Sequence, residues 1–281
     1  MQPETSLVGR GRPLHVNARE QRAREKSNAR QRPRVIAIAS GKGGVGKTWL
    51  TLSLAQAMSA RRARILVLDA DFGLANADIQ LGHLAATDIG AILRNEASLA
   101  ESIVPVERGG FDLLAGEAGS GAFSGLDPVI VERLVCRLVD CDANYDVLLC
   151  DLGTGVEPAA RHLAALADTL VLISTGDPTS LTDGYAVLKL LQRDRNDRGE
   201  PVDARIVINQ VDTDRAGRRA HAALARAARG FLRLDPPLLG IIQRDENVSE
   251  AIRGQRLFLS EFPKSSTAAT VQSIARRLLA K

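Results

Sequence analysis

The sequence predicts an α/β fold, a mostly parallel twisted sheet with helices on both faces. Three observations carry the prediction. Short, nearly all-apolar runs recur along the chain, helical patterns lie between them, and several runs end in an aspartate or another polar residue. Apolar runs without polar alternation are strands covered on both faces. Their alternation with helices gives a parallel sheet.

Taken in order, Val35-Ile36-Ala37-Ile38-Ala39 is the first such strand. A glycine loop follows it, then a helical pattern from Trp49 to about Ala60. Ile65-Leu66-Val67-Leu68 is the second strand and ends in Asp69. Phe111-Asp112-Leu113-Leu114 is a short strand, and Val147-Leu148-Leu149-Cys150 is another, ending in Asp151. Thr169 to Ser174, Arg205 to Asn209 and Leu238 to Ile242 complete the series. Helical patterns cover Asp127–Cys141, Glu157–Ala167, Ser180–Arg193 and Arg215–Leu232. No internal repeat and no second composition regime appears after residue 34, so one domain over 35–281 is the simplest count.

Composition removes several classes. The 281 residues are 45% hydrophobic and 25% charged, an ordinary globular balance. The net charge of +4 is unevenly placed. Residues 1–34 hold nine Lys or Arg against three Asp or Glu, leaving 28 against 30 in the remainder. The basic character therefore belongs to an arm, residues 1–34, expected to be disordered with a short helix over Asn17–Arg30. The bulk charge of the near-neutral body therefore does not argue for nucleic acid, and DNA is not the partner expected first. No apolar stretch approaches the ~20 residues of a membrane span, and residues 1–34 lack the apolar core of a secretory signal. Cys136, Cys141 and Cys150 have no CxxC spacing, which disfavours disulfide, zinc and iron–sulfur readings and fits a reducing cytoplasm. Aromatic residues at 3% are too few for a base-stacking surface.

The chemistry begins at Gly41-Lys42-Gly43-Gly44-Val45-Gly46-Lys47-Thr48, which fits G-x-x-x-x-G-K-[ST] between a buried strand and a helix. Glycines let the backbone curl with its N–H groups inward, and the following helix adds its positive dipole end. Lys47 is placed to reach β- and γ-phosphates, and the Thr48 hydroxyl to bind Mg²⁺. Ligands of open α/β sheets sit at the carboxyl ends of the strands, where Asp69, Asp71 and Asp151 fall. Asp151 reads as the acid that holds Mg²⁺ through water. Asp69 is open between Mg²⁺ support and strand-end support. No NKxD guanine-reading motif is present, so ATP is expected over GTP.

Lys42, a second lysine inside the loop, is not needed for phosphate of its own chain. Lys-Gly-Gly-Val-Gly-Lys-Thr resembles the deviant Walker A loop of the MinD/ParA class of P-loop ATPases, and the resemblance covers about residues 34–281. It implies a homodimer formed with ATP, in which Lys42 crosses to the partner's nucleotide. Asp69–Asn76 is similar to the class's switch I, which gives Asp71 the role of orienting the attacking water. Asp151–Gly155 is similar to switch II, with Gly153 and Gly155 admitting the γ-phosphate. The resemblance also implies that Asn209 reads the adenine edge and that Gln243 and Asp245 belong to the other base-side loop. Trp49 stands where a small polar residue is usual, which would crowd the α-phosphate side, and Gln243 stands where proline is common.

Within the class, Asp69–Asp78, Asp151–Val156 and Val248–Phe258 with Phe262–Ser266 resemble the flagellar-number regulators (FlhG/FleN) most. That likeness implies a slow regulatory ATP hydrolase governing flagellar number or placement. It also implies partners among FlhF-type GTPases, flagellar switch components and flagellar transcription regulators. Glu20–Arg24 is only a weak echo of the activator motif expected in the arm. Two alternatives are a partition or cargo-positioning ATPase of the ParA kind and a MinD-like cell-division site regulator. DNA contact in the partition case would use Arg215, Arg218, Arg219, Arg226, Arg229 and Arg233. A third is a binding module with a relic nucleotide site. Finally, Thr267–Lys281 places Val271, Ile274, Ala275 and Leu278 on one helical face. This resembles the reversible membrane-targeting helix of the class, which would put the protein in the cytoplasm and at the inner face of the membrane; the other reading is a helix packed on the core.

Overall fold

The computed structural model describes residues 32–71, 75–82, 87–116, 128–139 and 145–280. The chain divides into two units, Met1–Arg32 and Pro33–Lys281. The expected arm helix and the middle of the switch I stretch, 72–74, lie outside the described residues.

The second unit opens with β1 (Arg34–Ser40), α1 (Lys47–Ser59) and β2 (Ile65–Ala70). Three short helices follow, α2 (Ala77–Gln80), α3 (Ile89–Leu93) and α4 (Leu99–Ser102), leading to β3 (Ile103–Val106) and β4 (Phe111–Leu114). Then come α5 (Pro128–Val139), β5 (Val147–Thr154), α6 (Pro158–Leu166), β6 (Thr169–Ser174), α7 (Pro178–Arg198) and β7 (Ala204–Val211). α8 (Asp214–Ala227) runs into a π-helical turn, Ala228–Leu232, and the chain closes with β8 (Leu238–Gln243), α9 (Glu246–Arg253), α10 (Phe258–Glu261) and α11 (Ser266–Leu279).

The strands form one sheet in the order β3-β4-β2-β5-β1-β6-β7-β8, parallel except for the edge pair β3–β4. β1 shows why the strand sequences are apolar throughout. Val35, Ala37 and Ala39 face one layer of helices and Ile36 and Ile38 face the other, all buried. β5 runs further than expected, through Asp151 and Gly153 to Thr154, which pairs with Ser40. β3 was not foreseen: four residues containing Pro105 carry too little pattern for a strand.

The C-terminal helix takes the second of its two readings, a helix packed on the core. In α11 Val271, Ile274, Ala275 and Leu278 are completely buried against α1 and β8. Gly240 on β8 makes this possible, since a Cβ there would lie 2.6 Å from Ile274 Cδ1. Two arginines fasten the helix. Arg34 Nη1 donates to Leu278 O at 2.6 Å and its Nη2 to Thr169 Oγ1 at 2.7 Å, while Arg277 Nη1 donates to Leu239 O at 3.0 Å. Each buried aliphatic side chain contributes roughly 1.5–3 kcal/mol, so this face is committed to the core and not to a bilayer. Among the described residues no helix is long and apolar enough to cross a membrane. Leu278→Ala is expected to lower the unfolding free energy by about 2–5 kcal/mol in urea titrations. The intact chain is expected not to co-sediment with anionic liposomes through α11, with or without ATP.

Candidate functional site

The loop between β1 and α1 is curled by two left-handed glycines, Gly44 at φ +75 and Gly46 at φ +92. At Gly46 a Cβ would also fall 2.7 Å from Asn209 Nδ2. Gly41 serves close packing instead. A Cβ there would overlap the backbone of Asp183, so the loop's base sits directly on α7. Lys47 opens α1 and is buried, as is Thr51 one turn later. Lys42 is solvent-facing, with Nζ 3.4 Å from Thr179 Oγ1 on α7.

Below the loop lie two acids on adjacent strands, Asp69 of β2 in register with Asp151 of β5, each only 1% exposed. Asp69 Oδ1 accepts the Asp71 N–H at 3.2 Å, and its Oδ2 accepts the N–H groups of Asn76 and Ala77, both at 2.9 Å. The carboxylate thus ties both ends of this stretch to the sheet, as the strand-end reading expects. Asp151 differs. Its Oδ1 lies 3.0 Å from the Thr51 hydroxyl, while its Oδ2 is buried without a hydrogen-bond partner. Thr51 was missed from the sequence; a small polar residue three positions after Thr48, facing the sheet, was the available signal.

Above these acids opens a cleft of about 520 Å³. It gathers Gly43, Gly44, Gly46, Lys47, Thr48, Asp71, Asn209, Gln243 and Asp245, with an edge of Trp49. Asp71 stands against switch II, where a Cβ on Gly153 would come 2.9 Å from its Oδ1. Gly155 packs on Ala39 and Val187, and its N–H donates to Ser40 O at 2.9 Å. Gly41, Lys42, Val45, Asp69, Asp151, Gly153 and Gly155 do not line the cleft; they support it, or in the case of Lys42 face elsewhere.

Three expectations are refined. Trp49 does not crowd the phosphate side; its indole turns into the core, 5% exposed, edge-on to Phe258 with centroids 5.3 Å apart. Asn209 is buried with both ends of its amide used by backbone: Nδ2 donates to Val45 O at 2.8 Å and Oδ1 accepts the Gln210 N–H at 2.9 Å. It therefore holds the loop while also lining the cleft. Asp245 lines the cleft and also caps α9, its Oδ1 accepting the Asn247 N–H at 3.0 Å.

Residues 36–258 match the family model described as the CobQ/CobB/MinD/ParA nucleotide binding domain. Over 244 residues the chain is 30% identical to the antiactivator FleN of Pseudomonas aeruginosa, covering 87% of this chain and 85% of FleN. It is 28% identical over 247 residues to the flagellum site-determining protein YlxH of Helicobacter pylori, covering 85% of this chain and 79% of YlxH. The septum site-determining protein MinD of Pyrococcus horikoshii, solved with Mg-ADP, shares the fold at a TM-score of 0.74 and 22% identity, covering 88% of this chain and 96% of that one.

Electrostatics distinguish the two buried acids from the rest. Burial raises Asp151 to about 7, helped by the charge of Asp69 and opposed by Thr48, Lys47 and Thr51. Burial raises Asp69 to about 6, opposed by its three backbone N–H donors. The neighbouring Cys150 thiol is pushed up to about 12, again by burial first, and is inert as a nucleophile. A carboxyl whose pKa is raised on folding stabilises the fold while protonated. That stability is complete below about pH 4, the unfolded value, and is lost as pH rises through about 6 for Asp69 and about 7 for Asp151. The ligand-free protein should thus lose thermal stability between about pH 4 and about pH 7. Asp151→Asn is expected to flatten that decline in scanning fluorimetry and to raise Tm by several degrees at the upper end.

Proposed function

The chain belongs to the CobQ/CobB/MinD/ParA family of nucleotide-binding domains, and from that membership we propose that it is an ATP-dependent dimerising switch that governs flagellar number or placement. The flagellar assignment draws on its likeness to FleN and YlxH over most of both chains. The switch assignment draws on one observation above others: the loop carries two lysines with separate destinations. Lys47 is buried at the head of α1, whereas Lys42 is exposed beside Thr179 and lines no part of its own cleft. A phosphate loop needs one lysine for its own nucleotide; a second, facing outward, suits the nucleotide of a second copy.

The residues present fit ATP and Mg²⁺. The left-handed glycines turn backbone donors toward an anion, and the unpartnered buried Oδ2 of Asp151, among Thr48, Thr51 and Lys47, fits a cation shell. Thr48 and Asp151 would hold the metal, which when bound neutralises charge on the β- and γ-oxygens. Asp71 orients the attacking water from its place beside Gly153, and its backbone is steadied by Asp69. Gly153 and Gly155 let switch II approach the γ-phosphate and move when it leaves. Slow hydrolysis completes the reading, because the ATP dimer must persist long enough to be read by a partner.

Partner contact uses the α7–α8 ridge. Phe231 of the π-helical turn is 81% exposed and stacks edge-on with Tyr185 at 6.5 Å. With Leu181, Ala223, Leu224 and Ala227 it bounds an apolar groove of about 430 Å³. Exposed Arg215, Arg219 and Arg226 share α8, while Arg218 and Arg229 are paired with Asp214 and Asp235. A protruding aromatic with a basic surround suits an acidic, partly apolar protein segment better than a duplex, whose phosphates would meet Phe231 unfavourably.

Asp71→Ala is expected to keep ATP affinity, to cut hydrolysis by about 100-fold or more and to accumulate an ATP dimer in size-exclusion chromatography; Lys42→Ala is expected to abolish that dimer. A wild-type chain that stays monomeric with ATP would remove the switch reading. Phe231→Ala is expected to lose capture of flagellar partners with ATPase activity unchanged. An ATP-requiring, salt-sensitive DNA shift abolished by Arg219→Ala with Arg226→Ala would favour the partition alternative instead.

A further inference from the structure

β7 ends in a defect that its sequence does not announce. Gln210 sits within the strand at φ +57, in the left-handed region, and the pairing of β7 with β8 shifts register between Ile208 and Val211. A non-glycine residue there costs on the order of 1–2 kcal/mol, and Gly or Asn would bear it more easily. The long side chain has a use that accounts for its presence. In a regular strand Asn209 and Gln210 would face opposite sides of the sheet. With the bulge, both amides reach the phosphate loop: Gln210 Nε2 donates to Gly44 O at 3.1 Å, and Asn209 Nδ2 donates to Val45 O at 2.8 Å. Asn209 Oδ1 accepts the Gln210 N–H and fixes the bend that aims them.

Two consecutive loop carbonyls are thus held toward β7. In a trans peptide the C=O of one residue and the N–H of the next point in opposite directions. Holding Gly44 O therefore sets the Val45 N–H to the far side of the loop, and holding Val45 O does the same for the Gly46 N–H. We propose that Gln210 is a positioning residue for nucleotide binding: by fixing the Gly44–Val45 peptide it keeps the anion nest preformed, as Asn209 does for the next peptide. This rests on the reading of the cleft as a nucleotide site. Gln210 lines the same cleft as Asp71, but its side chain bonds the loop backbone and it belongs to β7, whereas Asp71 follows β2 and Asp151 is on β5. Its loss therefore weakens ADP and ATP equally and leaves the rate of bound ATP hydrolysis unchanged.

The test uses the full chain with Gln210→Ala, Gln210→Gly and Gln210→Lys, calorimetric titration with ADP and with ATP, and single-turnover hydrolysis at saturating ATP. Ala and Gly are expected to weaken both nucleotides by about 3–10-fold, the scale of one hydrogen bond. Lys, which keeps a long donor, is expected to restore affinity to within about twofold of wild type. The single-turnover rate stays at the wild-type value in all three. Wild-type affinity in the Gly variant would overturn the inference, leaving the bend as the only role of the position. Equal losses in all three variants, or a loss confined to turnover, would overturn it too. Failure of the wild-type chain to bind either nucleotide would strike the nucleotide reading itself, a different result from intact binding that ignores Gln210.

Discussion

Two carboxyl groups facing the same shielded space set the terms for the rest of the molecule. Asp69 and Asp151 are register neighbours on β2 and β5, both screened from water. Like charges so placed repel, and neither can be solvated in the usual way. The fold resolves the conflict unevenly. Asp69 receives three backbone N–H groups and becomes a structural anchor for the chain around Asp71 and α2. Asp151 is left with a hydroxyl on one side and an unpartnered oxygen on the other. One acid organises the stretch that carries Asp71, and the other keeps a buried oxygen without a hydrogen-bond partner. Lys47 and Thr48 at the start of α1 lie where they moderate that state.

The phosphate loop is braced from two directions, and the braces connect it to distinct surfaces. β7 holds its crest through Asn209 and Gln210. α7 holds its base, since Gly41 packs on the backbone of Asp183. α7 also touches switch II through Val187 and Gly155, and Lys42 rests on its first turn at Thr179. Leu181, Thr182 and Tyr185 of the same helix line the groove beside Phe231. A single rigid element therefore meets the loop, the outward lysine, a switch glycine and the exposed aromatic groove. A change in nucleotide state that shifts α7 has a short physical path to that surface.

Much of this was legible in the sequence because the signals were local. Buried parallel strands appear as apolar runs, and the phosphate loop has few other uses. Helix cores were also readable, although α7 runs five residues past Arg193 because polar residues continue it without adding to the apolar face. What escaped depended on tertiary choice. Val271, Ile274, Ala275 and Leu278 form the same stripe whether it meets a bilayer or a sheet; Gly240, which admits Ile274, decides between them. Trp49 has a large apolar body that either fills the cleft or the core, and Phe258, over 200 residues away, settles its direction. Asn209 and Gln210 look like an ordinary strand end until the bulge turns both toward Gly44 and Val45.

The grip of Arg34 on Leu278 has a consequence for how the protein is made. These residues lie 244 positions apart, and α11 covers α1, the first helix of the sheet. During synthesis at about 5–20 residues per second, β1 and α1 leave the ribosome well before the helix that seals them. For that interval the apolar flank of α1 is open to solvent and to other nascent chains, and long-range closure of this kind is slow. Ribosome-associated chaperones would meet the chain in that window, and a premature stop within α11 would leave a polypeptide unable to close its first layer.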